Sequence, residues 1–399
     1  MDISYLLNHL GENREQYFGA VSPPIIQSSN FTFADLAQMR AALTDELNTP
    51  FYTRGCNPTV AILRQKIAAL EKADDALIFS SGSAAMAAAV MSQLSAGDHV
   101  VCVAKPYSWT NKLLNKLLKR YNIQTTLVDG TVAENYRKAL LPNTKLFVLE
   151  SPNSITFELQ DIAAIVAIAR ANNIVTICDN SYCTPLYQSP IQMGVDIVIH
   201  SASKYLNGHS DVVAGVLCSS HDKIRHIFEG EFMTLGGIIS PHDAWLMLRG
   251  LRTLPLRLER SNQSAAIIAQ YLENHAQVEQ VLHPFAQNFP QRELALQQMS
   301  GTGGLFSVLL RADNIAQVEL FCNALNYFLP ACSWGGHESL IFPMSVLYSS
   351  ENYQIVGLPW NLVRFYIGLE DPNLLIADLN KGFEAMKTHI EVEILHETP

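Results

Sequence analysis

Hydrophobic positions between residues 56 and 250 alternate between two spacings along the chain. Short β-branched runs bounded by polar residues indicate buried strands, and apolar residues recurring every three or four positions indicate helices. The pattern predicts strands at 76–79, 99–103, 124–128, 145–149, 174–178, 196–199 and 212–218, and helices at 58–72, 83–94, 107–120 and 160–171. Because strands alternate with helices, we expect a mainly parallel sheet covered by helices on both faces.

The flanking segments differ from this alternating region. Residues 1–55 are predicted to form an extended arm against a neighbouring subunit, because prolines and short polar runs interrupt it around one helix at 34–47. An amphipathic run from Pro241 to His275 contains a predicted joint between two domains. Beyond it we predict strands at 304–310 and 362–367, helices at 314–326 and 372–388, and an uncapped tail at 391–399. The predicted division is a 1–55 arm, a 56–250 large domain and a 251–399 α+β domain.

Composition limits the classes of protein that fit. The 399 residues are 48% hydrophobic and 16% charged, which leaves room for two domains with full cores. A net charge of −10 without a Lys/Arg run argues against nucleic acid as a partner. The sequence contains no run of about 18 apolar residues, so we expect no membrane span. Residues 1–5 show no basic region followed by an apolar core, so we do not expect secretion. Seven cysteines without a CxxC pair predict reduced thiols in a cytoplasm, and no motif supports a metal site.

Lys204 lies in the segment Ser201–His209, directly after a predicted buried strand. A lysine at the end of such a strand loses water around its ammonium, which lowers its pKa and frees the amine as a nucleophile. Ser201 and Ser203 can donate hydrogen bonds to a phosphate. An amine beside a phosphate site is what a Schiff base with pyridoxal 5'-phosphate (PLP) requires. Alone, this pattern is also typical of a surface turn.

Asp179 closes the neighbouring apolar run at 173–178. An aspartate there could pair with a pyridine nitrogen and keep it protonated, although a helix cap or turn is the alternative. Lys204 and Asp179 both follow strands of parallel type, and ligands of open α/β sheets bind at the carboxyl ends of strands. Because both residues lie where ligands bind, a catalytic or cofactor-binding role is favoured over a purely structural one.

Three further features suit a cofactor and a substrate. Gly82 and Ser83 lie at a strand-to-helix turn, where free N–H groups bind anions, although many such turns serve packing only. Tyr107 opens a predicted helix after a strand and offers an aromatic face to a pyridine ring. Arg364 lies in an apolar strand and needs an anionic partner. Either a substrate carboxylate or a structural salt bridge would provide one.

Together these residues resemble the cystathionine/methionine-metabolism family of PLP enzymes, the γ-subfamily of fold type I. The motifs that carry the resemblance are Tyr52–Thr59, Ser81–Ser83, Asp179–Ser181, Ser201–Tyr205 and Val363–Asp371. The resemblance implies an α/β fold, in which helices sandwich a mainly parallel sheet in a large domain and a smaller α+β domain follows. It also implies a dimer as the active unit, with a tetramer as the usual assembly.

The resemblance assigns a role to each matching residue. Lys204 would be the catalytic Schiff-base lysine, and Tyr107 would stack on the ring and take part in catalysis. The implied cofactor contacts are Asp179 to the ring nitrogen, Gly82, Ser83, Ser201 and Ser203 to the phosphate, Ser154 near the ring hydroxyl, and Tyr52 and Arg54 to the neighbouring subunit's phosphate. Arg364 would bind the substrate α-carboxylate, with Ser333 and Trp334 beside it.

Within the family, two positions favour the bacterial cystathionine β-lyases. Ser154 stands where most relatives carry asparagine, and Trp334 stands where γ-acting relatives usually show leucine. Against this, the segment Asp179–Pro185 is more similar to methionine γ-lyases, Ser83 replaces the usual methionine, and Cys332 stands where β-lyases have tyrosine.

The leading hypothesis is therefore a PLP-dependent carbon–sulfur lyase that converts L-cystathionine into homocysteine, pyruvate and ammonia by β-elimination. The alternative is a γ-acting relative: a cystathionine γ-lyase, a cystathionine γ-synthase or a methionine γ-lyase. A third hypothesis is a non-catalytic PLP-binding protein. The joint presence of Lys204, Asp179 and Arg364 argues against it.

Overall fold

The computed structural model describes residues 1–348 and 357–387. Its strands are β1 Asp75–Phe79, β2 His99–Val103, β3 Gln124–Val128, β4 Thr144–Glu150, β5 Val175–Asp179, β6 Ile197–Ser201, β7 Gly215–Ser219, β8 Val278–Leu282, β9 Leu305–Leu310, β10 Leu329–Pro330, β11 Leu340–Pro343 and β12 Leu362–Tyr366. Its α-helices are α1 Ile3–Asn8, α2 Leu36–Leu43, α3 Pro58–Glu71, α4 Gly82–Met91, α5 Ser108–Lys112, α6 Glu134–Lys138, α7 Ile162–Ala171, α8 Thr184–Tyr187, α9 His221–Ile227, α10 Met233–Leu235, α11 Pro241–Leu251, α12 Leu254–Glu273, α13 Arg292–Gln298, α14 Ile315–Asn323 and α15 Pro372–Met386. No helix in these two ranges is both long and apolar enough to span a membrane. The predicted tail at 391–399 and the last residue of the helix predicted at 372–388 lie outside the described residues.

The larger sheet has seven strands in the order β1-β7-β6-β5-β4-β2-β3. Strands β3, β2, β4, β5 and β6 pair in parallel, whereas β7 is antiparallel to both of its neighbours. Helix α4 packs on one face, against Ile177 and Ile197, and α7 packs on the other, against Phe147 and Val198. The prediction of a mainly parallel sheet between helices is confirmed.

Capping residues fix where the helices beside this sheet begin. The Asn57 side chain accepts the N–H of Thr59 at 3.0 Å, and Pro58 occupies the first helical position of α3. The Ser81 hydroxyl accepts the N–H of Ala84 at 3.1 Å at the start of α4. Such residues satisfy N–H groups that a helix leaves unpaired at its first turn. As a result, α4 begins immediately beyond the carboxyl end of β1.

Some predicted elements differ in extent from the observed ones. The helix predicted at 107–120 is α-helical only as far as Lys112 and then continues as π-helical and 3-10 turns. Strands β5 and β6 extend past their apolar runs to Asp179 and Ser201, because these polar residues still pair in the backbone ladder. The amphipathic run at 241–275 forms two helices, α11 and α12, which are separated by Arg252 and Thr253.

The smaller sheet has the order β10-β11-β12-β9-β8 and is mostly antiparallel. Helices α12, α14 and α15 contribute to its core around Phe306, Phe321, Phe365 and Phe383. Strand β12 carries Arg364, whose side chain reaches the loop after β4. The second, smaller sheet domain is therefore present, and the exact division at residues 55 and 250 stays a prediction.

The first part of the predicted N-terminal arm packs on its own chain. Leu6 and Leu7 of α1 are buried, and the Lys66 ammonium of α3 donates to their carbonyls at 3.1 and 3.0 Å. Glu12 pairs with the same ammonium at 3.2 Å. Residues 27–41, in contrast, are mostly exposed. This exposed stretch provides surface of the kind that a neighbouring subunit would cover.

Candidate active site

Polar residues end three adjacent parallel strands at one edge of the larger sheet. Glu150 ends β4 level with Asp179, which ends β5, and Ser201 ends β6. Ligands of open α/β sheets bind at such carboxyl ends. A cleft of about 240 Å³ opens at this edge. Of the predicted site residues, it is lined by Gly82, Ser83, Tyr107, Asp179, Ser201, Ser203, Lys204 and Ser333.

Lys204 follows β6 in a turn in which its N–H donates to the Ser201 carbonyl at 3.1 Å. Its Nζ donates to the Ser333 Oγ at 2.6 Å and lies 5.4 Å from the centroid of the Trp334 ring. Burial lowers the pKa of Lys204 to about 8, and the positive charge of Arg364 adds to this shift. The neutral fraction of this amine near neutral pH is therefore much larger than that of an ordinary lysine.

Asp179 presents a carboxylate at the end of β5. Its Oδ1 accepts the N–H and the hydroxyl of Ser181 at 2.9 and 2.6 Å. Burial raises the pKa of Asp179, and these hydrogen bonds oppose the rise. The Ser181 hydroxyl also accepts the N–H of Ser201 at 2.6 Å, so it ties the ends of β5 and β6 together. A positively charged partner in the cleft would favour the ionised form of Asp179.

The first turn of α4 forms a cradle opposite Ser201. A Cβ placed on Gly82 would lie 2.9 Å from the Ser201 Cα, a distance that side chains essentially never adopt. Gly82 and Ser83 therefore present backbone N–H groups at the amino end of a ten-residue helix, where an anion is stabilised. The Ser203 hydroxyl, in contrast, is engaged with the Ala214 backbone, accepting its N–H at 2.9 Å.

Tyr107 lines the opposite part of the cleft and is 47% exposed. Its N–H donates to the Glu150 Oε2 at 2.6 Å, and burial raises the pKa of its phenol. Glu150 was not predicted as a site residue. The signal that identified Asp179, a carboxylate directly after a buried apolar run, is present at Glu150 as well.

Arg364 reaches the site from β12 of the smaller sheet and is buried. Its two terminal nitrogens donate to the carbonyls of Ser154 at 3.2 Å and Cys332 at 2.7 Å. Burial lowers the pKa of Arg364 to about 10. Within residues 1–348 and 357–387 its guanidinium has no acidic partner within 4.0 Å. A structural salt bridge is thus absent from the described part of the chain.

Tyr52 and Arg54 do not line this cleft within the single chain. Tyr52 is 43% exposed and pairs with Asn30 in an isolated bridge. The Arg54 guanidinium carbon lies 5.5 Å from the centroid of the Tyr52 ring. Their predicted contribution to a neighbouring subunit's phosphate site stays a prediction.

A lysine of lowered pKa, a neighbouring aspartate and a glycine cradle lie together at the carboxyl edge of the parallel strands. The Gly82 cradle suits a phosphate, the Lys204 amine suits an aldehyde, and Asp179 suits a ring nitrogen. This combination fits the site of a PLP-dependent enzyme.

A sequence profile described as "Cys/Met metabolism PLP-dependent enzyme" matches residues 5–384, and the chain belongs to this family. The chain is 38% identical over 386 residues to an L-methionine gamma-lyase of Pseudomonas deceptionensis, covering 95% of this chain and 96% of the relative. It is 35% identical over 384 residues to a cystathionine gamma-lyase of Bacillus subtilis, covering 95% and 98%. A crystal structure of cystathionine gamma-lyase from Lactobacillus plantarum, complexed with L-serine, superposes with a TM-score of 0.90 at 33% identity, covering 98% of this chain and 100% of that one.

These similarities decide several of the expectations. The family, the PLP cofactor and fold type I are confirmed. The protein is a PLP-dependent enzyme of sulfur amino-acid metabolism that acts on a small amino-acid substrate. The relatives are named as γ-acting enzymes, so they favour the alternative hypothesis over cystathionine β-elimination.

Proposed function

We propose that the protein is a γ-acting carbon–sulfur lyase that cleaves an L-amino-acid thioether. L-methionine and water would give methanethiol, 2-oxobutyrate and ammonia. L-cystathionine and water would give cysteine, 2-oxobutyrate and ammonia. The similarity of nearly the whole chain to enzymes named as methionine and cystathionine γ-lyases carries this proposal. It replaces the β-lyase as the leading hypothesis.

Residues of the cleft would hold the ring of the cofactor. Lys204 would form the covalent link, Asp179 would pair with the ring nitrogen, and Tyr107 would lie against the ring face. When bound, PLP supplies an electron-accepting ring that stabilises negative charge at the substrate Cα. The lowered pKa of Lys204 supports its role, because the neutral amine is the nucleophile and the base.

The phosphate would bind to the N–H groups of Gly82 and Ser83 and to the Ser201 hydroxyl. Ser203 would contribute less than Ser201, because its hydroxyl already bonds to the Ala214 backbone. Ser154 would lie near the ring hydroxyl, held in place by hydrogen bonds of its N–H and its hydroxyl to Glu150 and of its carbonyl to Arg364.

Arg364 would bind the substrate α-carboxylate through its planar guanidinium, which has no carboxylate partner among the described residues. The Ser333 hydroxyl, 2.6 Å from the Lys204 Nζ, would steer that amine once the substrate amine replaces it on the cofactor. γ-Elimination requires removal of a proton from Cβ as well as from Cα. A lysine on a flexible four-carbon stem can reach both adjacent atoms in turn.

β-Elimination of L-cystathionine remains a second candidate because of one residue. Trp334 is buried, and its ring lies beside the Lys204 amine, at the position where γ-acting relatives usually show leucine. An indole is bulkier than the side chain of leucine, and this one also packs against the Tyr205 ring. This observation favours the β-lyase.

Assembly and location are parts of the same proposal. We infer a dimer as the active unit, because Tyr52 and Arg54 lie outside their own cleft and Tyr52 is exposed. The family resemblance supports the assembly of two dimers into a tetramer. The seven free thiols support a cytoplasmic location.

Product analysis tests the reaction directly. The PLP-loaded protein is incubated separately with L-cystathionine and L-methionine, and the keto acids are separated by chromatography. 2-Oxobutyrate from both substrates is expected. Pyruvate as the main product from cystathionine would refute γ-elimination in favour of β-elimination. If the protein binds PLP and forms no keto acid from either substrate, the proposed lyase activity is refuted. Lys204→Ala, which should fold without turnover, is the matched control.

A further inference from the structure

Glu150 is a buried carboxylate that contacts both loops of the proposed site. Its Oε2 accepts the N–H of Tyr107 at 2.6 Å, and its Oε1 accepts the N–H of Ser154 at 3.3 Å. Tyr107 lines the cleft, and the Ser154 carbonyl accepts a hydrogen bond from Arg364 at 3.2 Å. The Glu150 side chain therefore connects Tyr107, which lines the site, with the Arg364 guanidinium, which is proposed to bind the substrate carboxylate.

The backbone of Glu150 is itself fixed from behind. The Gln160 side chain accepts the Glu150 N–H at 3.2 Å through its oxygen and donates to the Glu150 carbonyl through its nitrogen. Gln160 is 1% exposed, and its own N–H donates to the Ser151 hydroxyl at 2.9 Å. Because this amide binds both backbone groups, the carboxylate projects from a fixed point at the end of β4.

We propose that Glu150 is a positioning residue that sets the separation between Tyr107 and Arg364, and thereby the relative orientation of cofactor ring and substrate carboxylate. The inference rests on the proposed function, since it assigns the ring to Tyr107 and the carboxylate to Arg364. A carboxylate of this length bridges two backbone N–H donors, each with one oxygen. Neither an amide nor a shorter acid does both.

The charge of Glu150 affects this bridge. Burial and the negative charge of Asp179 raise the pKa of Glu150 to about 8, while the N–H groups of Tyr107 and Ser154 oppose the rise. The other titratable groups that face it are the Tyr107 phenol and the thiol of Cys102 on β2. The ionised form accepts both hydrogen bonds, so the bridge strengthens as the pH rises and Glu150 ionises, and it weakens as the pH falls and Glu150 is protonated.

Two substitutions separate the geometry of this side chain from its charge. Glu150→Gln keeps the length and removes the charge and one acceptor, whereas Glu150→Asp keeps the charge and shortens the reach. Glu134→Gln, at an exposed carboxylate that pairs with Arg137, is the matched control. PLP-loaded proteins are compared for the KM and kcat of thioether cleavage and for the circular dichroism of the bound cofactor.

Both Glu150 variants should retain PLP, because Lys204 and the Gly82 cradle are unchanged. We expect KM to rise about tenfold in each variant, because each loses one buried hydrogen bond. The change in kcat should be smaller. We also expect an altered cofactor circular dichroism, and wild-type values in Glu134→Gln. Wild-type KM and dichroism in either Glu150 variant would overturn the inference. If the wild-type protein itself neither binds PLP nor cleaves a thioether, the proposed function fails instead.

A measurement on the wild-type protein covers the case in which the variants do not fold. The PLP-loaded protein is labelled with ¹⁵N in tyrosine and serine, and the amide signals of Tyr107 and Ser154 are followed against pH. Both signals should shift with a common midpoint well above that of an ordinary carboxyl group. Independent midpoints, or a Tyr107 amide that does not titrate, would overturn the inference.

Discussion

The amine of Lys204 should link to PLP at neutral pH far faster than an ordinary lysine does. Burial and the charge of Arg364 lower its pKa to about 8. Only the neutral amine attacks an aldehyde. At pH 7 an amine with a pKa of about 8 is about 9% neutral, whereas one with the usual pKa of about 10.4 is about 0.04% neutral. The structure therefore predicts a roughly 200-fold advantage for Lys204 at this pH.

Rapid mixing of the apoprotein with PLP measures this advantage through the absorbance of the covalent link. The rate constant should rise with pH and level off beyond a midpoint of about 8. Arg364→Gln removes a charge that disfavours the ammonium, so it should move the midpoint upward and slow the reaction at pH 7. Arg137→Gln, at an exposed surface ion pair, should leave it unchanged. A wild-type midpoint near about 10.4 would refute the reasoning. A folded Arg364→Gln variant whose midpoint equals that of the wild type would refute it as well.

Two further predictions concern the cradle and the core. Gly82→Ala, with a Cβ 2.9 Å from the Ser201 Cα, should weaken PLP binding by roughly ten- to a hundredfold in a fluorescence titration. Gly230→Ala, where a Cβ meets nothing within 4 Å, should bind as the wild type does. Equal affinities would contradict the cradle. His200→Ala leaves the buried Glu71 carboxylate without its partner at 2.7 Å, so the free energy of unfolding in urea should fall by about 3–5 kcal/mol. A loss of less than about 1 kcal/mol would contradict this role of the pair.

The parts of the site that could be predicted from sequence depend on local patterns. A buried apolar run that stops at Asp179, or just before Lys204, places that residue at a strand end whatever the rest of the chain does. The Ser81–Ser83 turn is local in the same way, because the cap and the glycine together define the start of a helix. These patterns were sufficient to predict the class of fold and the residues at the strand ends that line the cleft.

The remaining parts depend on contacts between distant segments. The hydrogen bonds of Arg364 with Ser154 and Cys332 join β12 to loops 210 and 32 residues away in sequence. The bond between Ser203 and Ala214 likewise arises only when the chain folds back beside β6. No periodicity or motif encodes such contacts, so the engagement of these groups became evident only from the structure.

The choice between β- and γ-elimination shows a different limit of sequence motifs. Trp334 favoured the β-lyase, whereas similarity over nearly the whole chain favours γ-acting enzymes. A single bulky side chain alters which substrates fit. The outcome of the reaction also depends on whether a base reaches the substrate Cβ. That depends on the freedom of Lys204 and on its partner Ser333, both of which are compatible with either outcome.

In our proposal, Arg364 links substrate binding to the chemistry of Lys204. Its positive charge lowers the pKa of the lysine, and in our proposal the same guanidinium binds the substrate carboxylate. A bound carboxylate would offset that charge and restore part of the basicity of the lysine when the amine must accept the Cα proton. The free site thus favours a neutral nucleophile, and the occupied site favours a stronger base. This follows because β12 of the smaller sheet places its only buried cation beside the end of β6.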